Sequence, residues 1–112
     1  MVSGIPDTGD IIRLYIGPAK GNEQDGYRAV LVISDHVMNE ITGRIMGLPI
    51  TSTVRGWATE IPVNSLARPG VALVDQLGNW SYTAREFRYE NEKATAAEVK
   101  AAKHAIREFL QL

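Results

Sequence analysis

Short apolar blocks separated by polar turns occupy most of the chain, and this pattern predicts a series of β-strands. Residues 10–15 alternate loosely, with Ile12 and Leu14 on one face, as in a half-buried strand. Residues 29–33 form a continuous apolar run, which predicts a central strand covered on both faces. Further strands are predicted at residues 44–50, 57–63, 71–74 and 82–89.

The end of the chain has a helical period instead. Thr95 and Glu98 have the spacing of a capping box, in which each side chain accepts a hydrogen bond from the other residue's backbone N–H. Apolar residues then recur at helical spacing, at Val99, Ala102, Ile106, Phe109 and Leu110. Residues 34–43 are mostly polar, and we predict one short helical turn there that ends at Gly43. Strands followed by one helix predict an α+β domain with a mostly antiparallel, coiled or barrel-like sheet.

Composition narrows the class of protein. The 112 residues fit one domain, 1–112, and the absence of cysteine excludes disulfides and thiolate chemistry. No apolar run reaches the length of about 20 residues that spans a bilayer, and no signal peptide is recognisable. We therefore expect a soluble, cytoplasmic protein without membrane association. The net charge of -1 predicts that any polyanion would need a local cationic patch.

Several kinds of site are excluded. Ser34, Asp35 and His36 are consecutive, but a catalytic triad depends on spatial roles and not on adjacency in sequence. His36 and His104 are the only histidines and the chain has no cysteine, so no metal is expected. Residues 17–21 lack the Gly-Lys-Ser/Thr ending of a phosphate-binding P-loop.

The polar loop 21–28 ends in Arg28, where a strand begins. One interpretation is a surface arginine that pairs with a loop carboxylate such as Glu23. The other is an anion clamp, because a guanidinium presents a planar fork suited to phosphate oxygens. Thr51 and Ser52 either satisfy backbone groups in a turn or donate to the same phosphate.

Other polar and aromatic residues have two interpretations as well. Trp57, Trp80 and Tyr82 are expected in the core or on a sheet face, with stacking on an unpaired base as the alternative. Asp75 and Gln76 follow the strand at 71–74, where they would also suit a turn. The residues alone leave these alternatives open.

Five segments match one bacterial family in the same order, namely PDTGDII at 6–12, KGNEQDGYR at 20–28, LVIS at 31–34, PIT at 49–51 and GVALVDQ at 70–76. They resemble the MazF/PemK family of toxin endoribonucleases from type II toxin–antitoxin systems, over essentially the whole chain. The resemblance implies an SH3-like β-barrel of five to seven strands with a C-terminal α-helix, assembled as a homodimer. It also implies sequence-specific cleavage of single-stranded RNA, including mRNA, without a metal or cofactor.

The resemblance implies that the RNA 2′-OH attacks the adjacent phosphate and leaves a 2′,3′-cyclic phosphate and a 5′-OH. Arg28 and Thr51 match the positions that carry catalysis, where they would neutralise the phosphate and hold one of its oxygens. Glu23 and Asp75 match acidic positions linked to activity, and Glu23 is a candidate for the general base. The substrate-binding residues expected beside them are Asn22, Gln24, Ser52, Trp57 and Gln76.

The expected partner is a MazE-like cognate antitoxin, whose extended acidic C-terminal tail would cover the RNA groove. An alternative function is that of a non-catalytic toxin of the same fold, which binds and inhibits DNA gyrase. The presence of both Arg28 and Thr51 favours the nuclease.

The chain departs from the family pattern at three places. Ala29 stands where a proline usually follows the catalytic arginine, which relaxes the backbone next to it. Asn22 and Leu73 replace a histidine and an arginine of some members, so a mechanism that uses those groups is excluded. Gly78 and Thr83 replace positions that are often basic, which predicts a shallower salt dependence of RNA binding.

Overall fold

Seven strands and two α-helices make up the parts of the chain that the computed structural model describes, which are residues 4–15, 27–85 and 87–112. The strands are β1 Asp10–Tyr15, β2 Tyr27–Val32, β3 Arg44–Thr51, β4 Glu60–Val63, β5 Gly70–Leu73, β6 Gly78–Ser81 and β7 Phe87–Lys93. The helices are α1 His36–Thr42 and α2 Ala96–Leu110, and a 3-10 turn spans Val74–Gln76. None of the described helices has the combination of length and apolar character that crossing a bilayer requires.

The seven strands form one antiparallel sheet. Its order is β4-β5-β3-β2-β1-β7, and β6 pairs with β3 outside this path. β3 pairs with β5 near its end, at Ile50, and with β6 near its start, at Ile45. Because one strand serves both partners, the sheet coils into the open, barrel-like form that was predicted, with α2 after the last strand.

Both faces of the sheet bury apolar side chains, which explains why β2 is apolar throughout its second half. Val30, Leu31 and Val32 are fully buried, as predicted for a strand covered on both sides. The first cluster contains Ile11, Leu31, Leu48, Val63, Leu66, Ala72, Val74 and Ala102. The second contains Ile12, Leu14, Val30, Val32, Ile45 and Tyr82.

The predicted capping box begins α2. The Thr95 hydroxyl accepts from the Glu98 N–H at 3.1 Å, and the Glu98 carboxylate accepts from the Thr95 N–H at 2.9 Å. The predicted helix is confirmed, and within its apolar series Ala102 is fully buried whereas Phe109 and Leu110 are 54% and 49% exposed. α2 packs on β4 and on the 3-10 turn at Val74–Gln76.

The helix before β3 is longer than the single turn predicted for this segment. α1 has seven residues, and Asp35 caps its start, its carboxylate accepting from the Val37 N–H at 2.9 Å. Gly43 ends the helix, as predicted, in the left-handed conformation with φ 70°.

Two predicted strands had wrong boundaries. The segment 82–89 is not one strand, because Tyr82 lies in the turn between β6 and β7, where its buried hydroxyl donates to the Asn39 carbonyl at 3.0 Å. The strand predicted to start at Trp57 starts at Glu60. The Glu60 carboxylate accepts from the Arg55 and Gly56 N–H groups and folds the preceding residues into a loop.

Candidate functional site

A cleft of about 590 Å³ lies where β2 begins and β3 ends. Strands β1 to β3 contribute Arg13, Ala29 and Ile50 to its lining, and the far side is formed by residues 66–69 between β4 and β5 and by Gly70 at the start of β5. Its volume is typical of ligand-binding sites, which occupy about 300–1,000 Å³.

Arg28 and Thr51 both line this cleft, and both are partly buried. The register of β2 and β3 pairs Ala29 with Ile50. Continued by one residue, the same register sets Arg28 opposite Thr51, and opposite residues of antiparallel strands share a face of the sheet. On its other side Arg28 pairs with Leu14 of β1, which is fully buried. The Arg28 backbone is therefore held between two neighbouring strands.

The Thr51 hydroxyl has a structural contact and retains the capacity to bind an anion. Its oxygen accepts from the Thr53 N–H at 3.1 Å. A threonine hydroxyl has one donor and two acceptor positions, so its proton stays available to a phosphate oxygen. Ser52 and Thr53 also line the cleft, and both are exposed.

The segment from 64 to 69, called the wall loop below, is held by carboxylates from later elements. Glu92 of β7 accepts from the Ala67 N–H at 2.9 Å. Glu98 of α2 accepts from the Asn64 N–H and from the Ser65 hydroxyl, both at 2.8 Å. These contacts attach the wall loop to the end of the chain at two points.

The cleft is cationic, although the chain as a whole is not. Its lining includes Arg13, Arg28 and Arg68 together with the single carboxylate of Glu92, among the residues that the structure describes. None of the three arginines forms an ion pair with a described carboxylate. This is the local patch that a chain of net charge -1 needs in order to bind a polyanion.

Sequence reasoning did not identify Arg13, Arg68, Glu92 or Tyr27 as residues of the cleft. Tyr27 contributes an aromatic ring whose face lies 4.6 Å from the Arg88 guanidinium. Tyr27 belongs to the motif at 20–28 but was given no role of its own, whereas no local motif marks Arg13, Arg68 or Glu92 as site residues, because contacts between distant segments bring them together. The alternation along β1 does place Arg13 on the polar side of that strand, which was the one available signal.

Three predicted site residues cannot be compared with this cleft. Glu23, Asn22 and Gln24 fall within residues 16–26, outside the described ranges.

The three remaining predicted residues are exposed and lie elsewhere. Trp57 lies in the loop before β4 with the Arg55 guanidinium 5.3 Å from its ring centre, so it is not a core residue. Asp75 and Gln76 lie in the 3-10 turn that follows β5, at the opposite end of that strand from Gly70. Across residues 4–15, 27–85 and 87–112, no three His, Asp or Glu side chains are grouped so as to hold a metal ion.

Comparison with known proteins gives consistent matches. A family model described as PemK-like, MazF-like toxin of type II toxin–antitoxin systems matches residues 7–110. The endoribonuclease toxin MazF of Escherichia coli K12 is 37% identical over 81 residues, which are 72% of this chain and 73% of that protein. MazF from Deinococcus radiodurans has a TM-score of 0.85 at 27% identity, covering 98% of this chain and 100% of its own. A chain of a MazE–MazF structure from the same organism, with 24% identity, TM-score 0.84 and coverage of 98% and 99%, shares the fold.

Proposed function

The chain belongs to the PemK-like, MazF-like toxins of type II toxin–antitoxin systems and is an endoribonuclease of that kind, and from this premise we propose how it cuts RNA. The substrate is single-stranded RNA, including mRNA, which is cut at a short sequence without a metal ion. The observation that carries the proposal is the register that sets Arg28 opposite Thr51 at a cationic cleft.

In the proposed reaction, the 2′-OH of one ribose attacks the adjacent phosphorus, and the bond from phosphorus to the 5′-oxygen of the next nucleotide breaks. The products are a 2′,3′-cyclic phosphate and a 5′-OH. Nucleophile and leaving group both belong to the RNA, so the protein has to stabilise the charge that develops on the phosphate and move two protons.

Arg28 is suited to the charged part of this reaction. Its guanidinium is cationic and binds two phosphate oxygens through parallel N–H groups. In the further role proposed for it, it gives one proton to the leaving oxygen and must regain a proton from solvent afterwards. The Thr51 hydroxyl donates to a phosphate oxygen, and its contact with the Thr53 N–H leaves its proton free to do so. Glu23 is our candidate for the base that takes the proton of the 2′-OH.

The other predicted site residues act next to Arg28, Thr51 and Glu23. Asp75 assists catalysis, and the substrate is bound by Asn22, Gln24, Ser52, Trp57 and Gln76. Of these, Ser52 lines the cleft of the single chain, whereas Trp57, Asp75 and Gln76 lie outside it. In the proposed homodimer, they would contact RNA beyond the cleft or from the second subunit.

The proposed partner is a MazE-like antitoxin, as in the MazE–MazF structure from D. radiodurans. An acidic tail would compete with RNA for a cleft that carries three arginines without carboxylate partners among the described residues. We place the complex in the cytoplasm, where mRNA is available to the toxin.

A cleavage assay in EDTA tests the function and the chemistry together. The purified protein should cut a single-stranded RNA and leave intact the same RNA with one 2′-deoxynucleotide at the cleavage site. Mapping of the fragment ends should find 5′-OH and cyclic phosphate termini. Cutting of the deoxy substrate would rule out attack by the 2′-OH, and a toxin that only bound gyrase would leave every RNA intact.

Substitutions of Arg28 and Thr51 test the roles assigned to them. Arg28→Ala and Thr51→Val should each lower kcat by about 10²–10³-fold, the usual cost of removing one donor to a transition-state oxyanion. Thr51→Ser keeps the hydroxyl and should retain most activity. Arg107→Ala, at an exposed position of α2, is the matched control and should cut at the wild-type rate. Wild-type kcat in Arg28→Ala with an intact fold would contradict the assignment.

A further inference from the structure

Arg13 and Arg68 line the cleft from two sides and have no assigned role in the chemistry above. Arg13 lies on β1 opposite Ala29 of β2. Because the Ala29 side chain is a single methyl group, it leaves space in the cleft next to Arg13. Arg68 belongs to the wall loop. Neither forms an ion pair with a described carboxylate. Two guanidinium groups in one cleft, neither with an ionic partner among the described residues, suit an anionic ligand.

The sheet geometry separates this pair of arginines from Arg28 and Thr51. Residues alternate between faces along a strand, so Arg13 and Ala29 share the face opposite to the one that carries Arg28 and Thr51. Both pairs nevertheless line the same cleft. An RNA strand carries consecutive phosphates, so one strand can contact both pairs.

Glu92 connects the wall loop, which carries Arg68, to the sheet. It lies on β7 opposite Ile11, and its carboxylate accepts from the N–H of Ala67 at 2.9 Å. Ala67 immediately precedes Arg68, and both residues are otherwise exposed on the wall loop. The position of Arg68 over the cleft therefore depends on a contact between residues 25 positions apart.

We propose that Arg13 and Arg68 form a second phosphate subsite, which binds a backbone phosphate next to the scissile one, and that Glu92 is the positioning residue that holds Arg68 there. This inference rests on the proposed function, since RNA is the ligand. The proposed subsite contributes to RNA binding and not to the chemical step, because neither of its arginines is assigned to the reacting phosphate.

The salt dependence of binding measures phosphate contacts directly. A noncleavable RNA, with a 2′-deoxynucleotide at the cleavage site, is titrated with the full-length protein at several salt concentrations. Each phosphate contact to a single strand contributes about 0.7 to the slope of log K against log salt. Arg13→Ala and Arg68→Ala should each make the slope shallower by about this amount. On cleavable RNA they should raise KM with little change in kcat, and Arg107→Ala should match the wild type in both assays.

Two substitutions of Glu92 separate positioning from simple charge. Glu92→Gln removes the negative charge but keeps an oxygen for the Ala67 N–H, so it should bind RNA at least as tightly as the wild type. Glu92→Ala removes the same charge together with the contact, and should bind more weakly. In combination with Arg68→Ala it should cause no further loss, because Glu92 acts through Arg68. If both Glu92 variants bind more tightly, or if the losses add, the positioning role is wrong.

The outcomes distinguish this inference from the proposed function. If the wild type cuts RNA and neither arginine variant changes the salt slope, the subsite is overturned and the nuclease assignment stands. If the slopes change as expected but the wild type does not cut, the proposed function fails and the phosphate subsite stands.

Discussion

The buried residue Asn39 forms hydrogen bonds to residues from separate segments of the chain. Its amide donates to the carbonyl oxygens of Pro6 at 2.8 Å and Ser34 at 3.2 Å, and its side-chain oxygen accepts from the Ser34 hydroxyl at 2.6 Å. Its backbone carbonyl accepts from Tyr82. The consecutive residues Ser34 and Asp35 thus have structural contacts, to Asn39 and to the start of α1, and they do not form a triad with His36.

Removing the Asn39 side chain should leave buried groups without partners. We expect Asn39→Ala to lower the free energy of unfolding by about 1–3 kcal/mol, the usual cost of an unsatisfied buried polar group. Urea denaturation measures the change. Asn64→Ala, at an exposed position, is the control and should stay within about 0.5 kcal/mol of the wild type. Equal losses in the two variants would show that the Asn39 contacts contribute little.

At the scale of elements, Glu98 joins the start of α2 to the wall loop of the cleft. Partial burial by itself would raise the pKa of Glu98, but hydrogen bonds from Thr95, Ser65 and Asn64 lower this pKa below its ordinary value of 4.5. The carboxylate therefore stays ionised in the folded protein at a lower pH than in the unfolded chain. One ionised side chain holds both elements in place.

This pKa shift predicts a pH-dependent difference in stability. As pH falls below about 4.5, the unfolded chain takes up the Glu98 proton first, so the stabilisation from Glu98 decreases and is lost below the folded-state pKa. Glu98→Gln should unfold more easily than the wild type at pH 7, and this difference should shrink in acid. Glu108→Gln, at an exposed position of α2, should show no such trend. A constant difference for Glu98→Gln from pH 7 to pH 3 would contradict the assigned cause.

The packing of α2 depends on a small residue. Ala102 is fully buried in the first apolar cluster, whereas Ala101 is exposed. Ala102→Leu should lower the free energy of unfolding by about 1–3 kcal/mol through overpacking. Ala101→Leu has the same effect on helix propensity and should be nearly neutral. Thermal or urea unfolding compares the two, and equal effects would show that α2 is loosely packed.

At the scale of the whole molecule, an almost neutral chain carries a cationic cleft at one end of its sheet. The chain has 12 Lys and Arg against 13 Asp and Glu, yet among the described residues the cleft lining combines three arginines with one glutamate. Binding of RNA should therefore depend on local charge, with little steering from the rest of the surface. The distribution of charge, and not its sum, makes the molecule suited to a polyanion.

The proposed homodimer is a prediction at this scale. Large apolar side chains are exposed on the described surface, including Val37, Met38 and Ile41 of α1, and surfaces of this kind favour association. Light scattering during gel filtration should give about twice the chain mass of 12.3 kDa, or about 25 kDa. A mass of one chain that persists at micromolar concentration would contradict the dimer.

Local patterns were sufficient for much of the fold. The strands β1, β2 and β3, the capping box of α2 and the end of α1 at Gly43 follow from the period of apolar residues and from the chemistry of neighbouring residues, and they were predicted. The prediction failed where a distant contact overrides the local pattern. Tyr82 leaves the alternating segment 82–89 because it donates to Asn39, 43 residues earlier.

By itself, the sequence determined the family, the order of the main elements and the catalytic candidates Arg28 and Thr51, because motifs and periodicity are local properties. Only the tertiary structure decided that the wall loop lies over the cleft, that Glu92 holds it, and that Arg13 and Arg68 reach the same space. The physical reason is that strand register and long-range hydrogen bonds join residues far apart in the chain, and no local pattern encodes which segments meet.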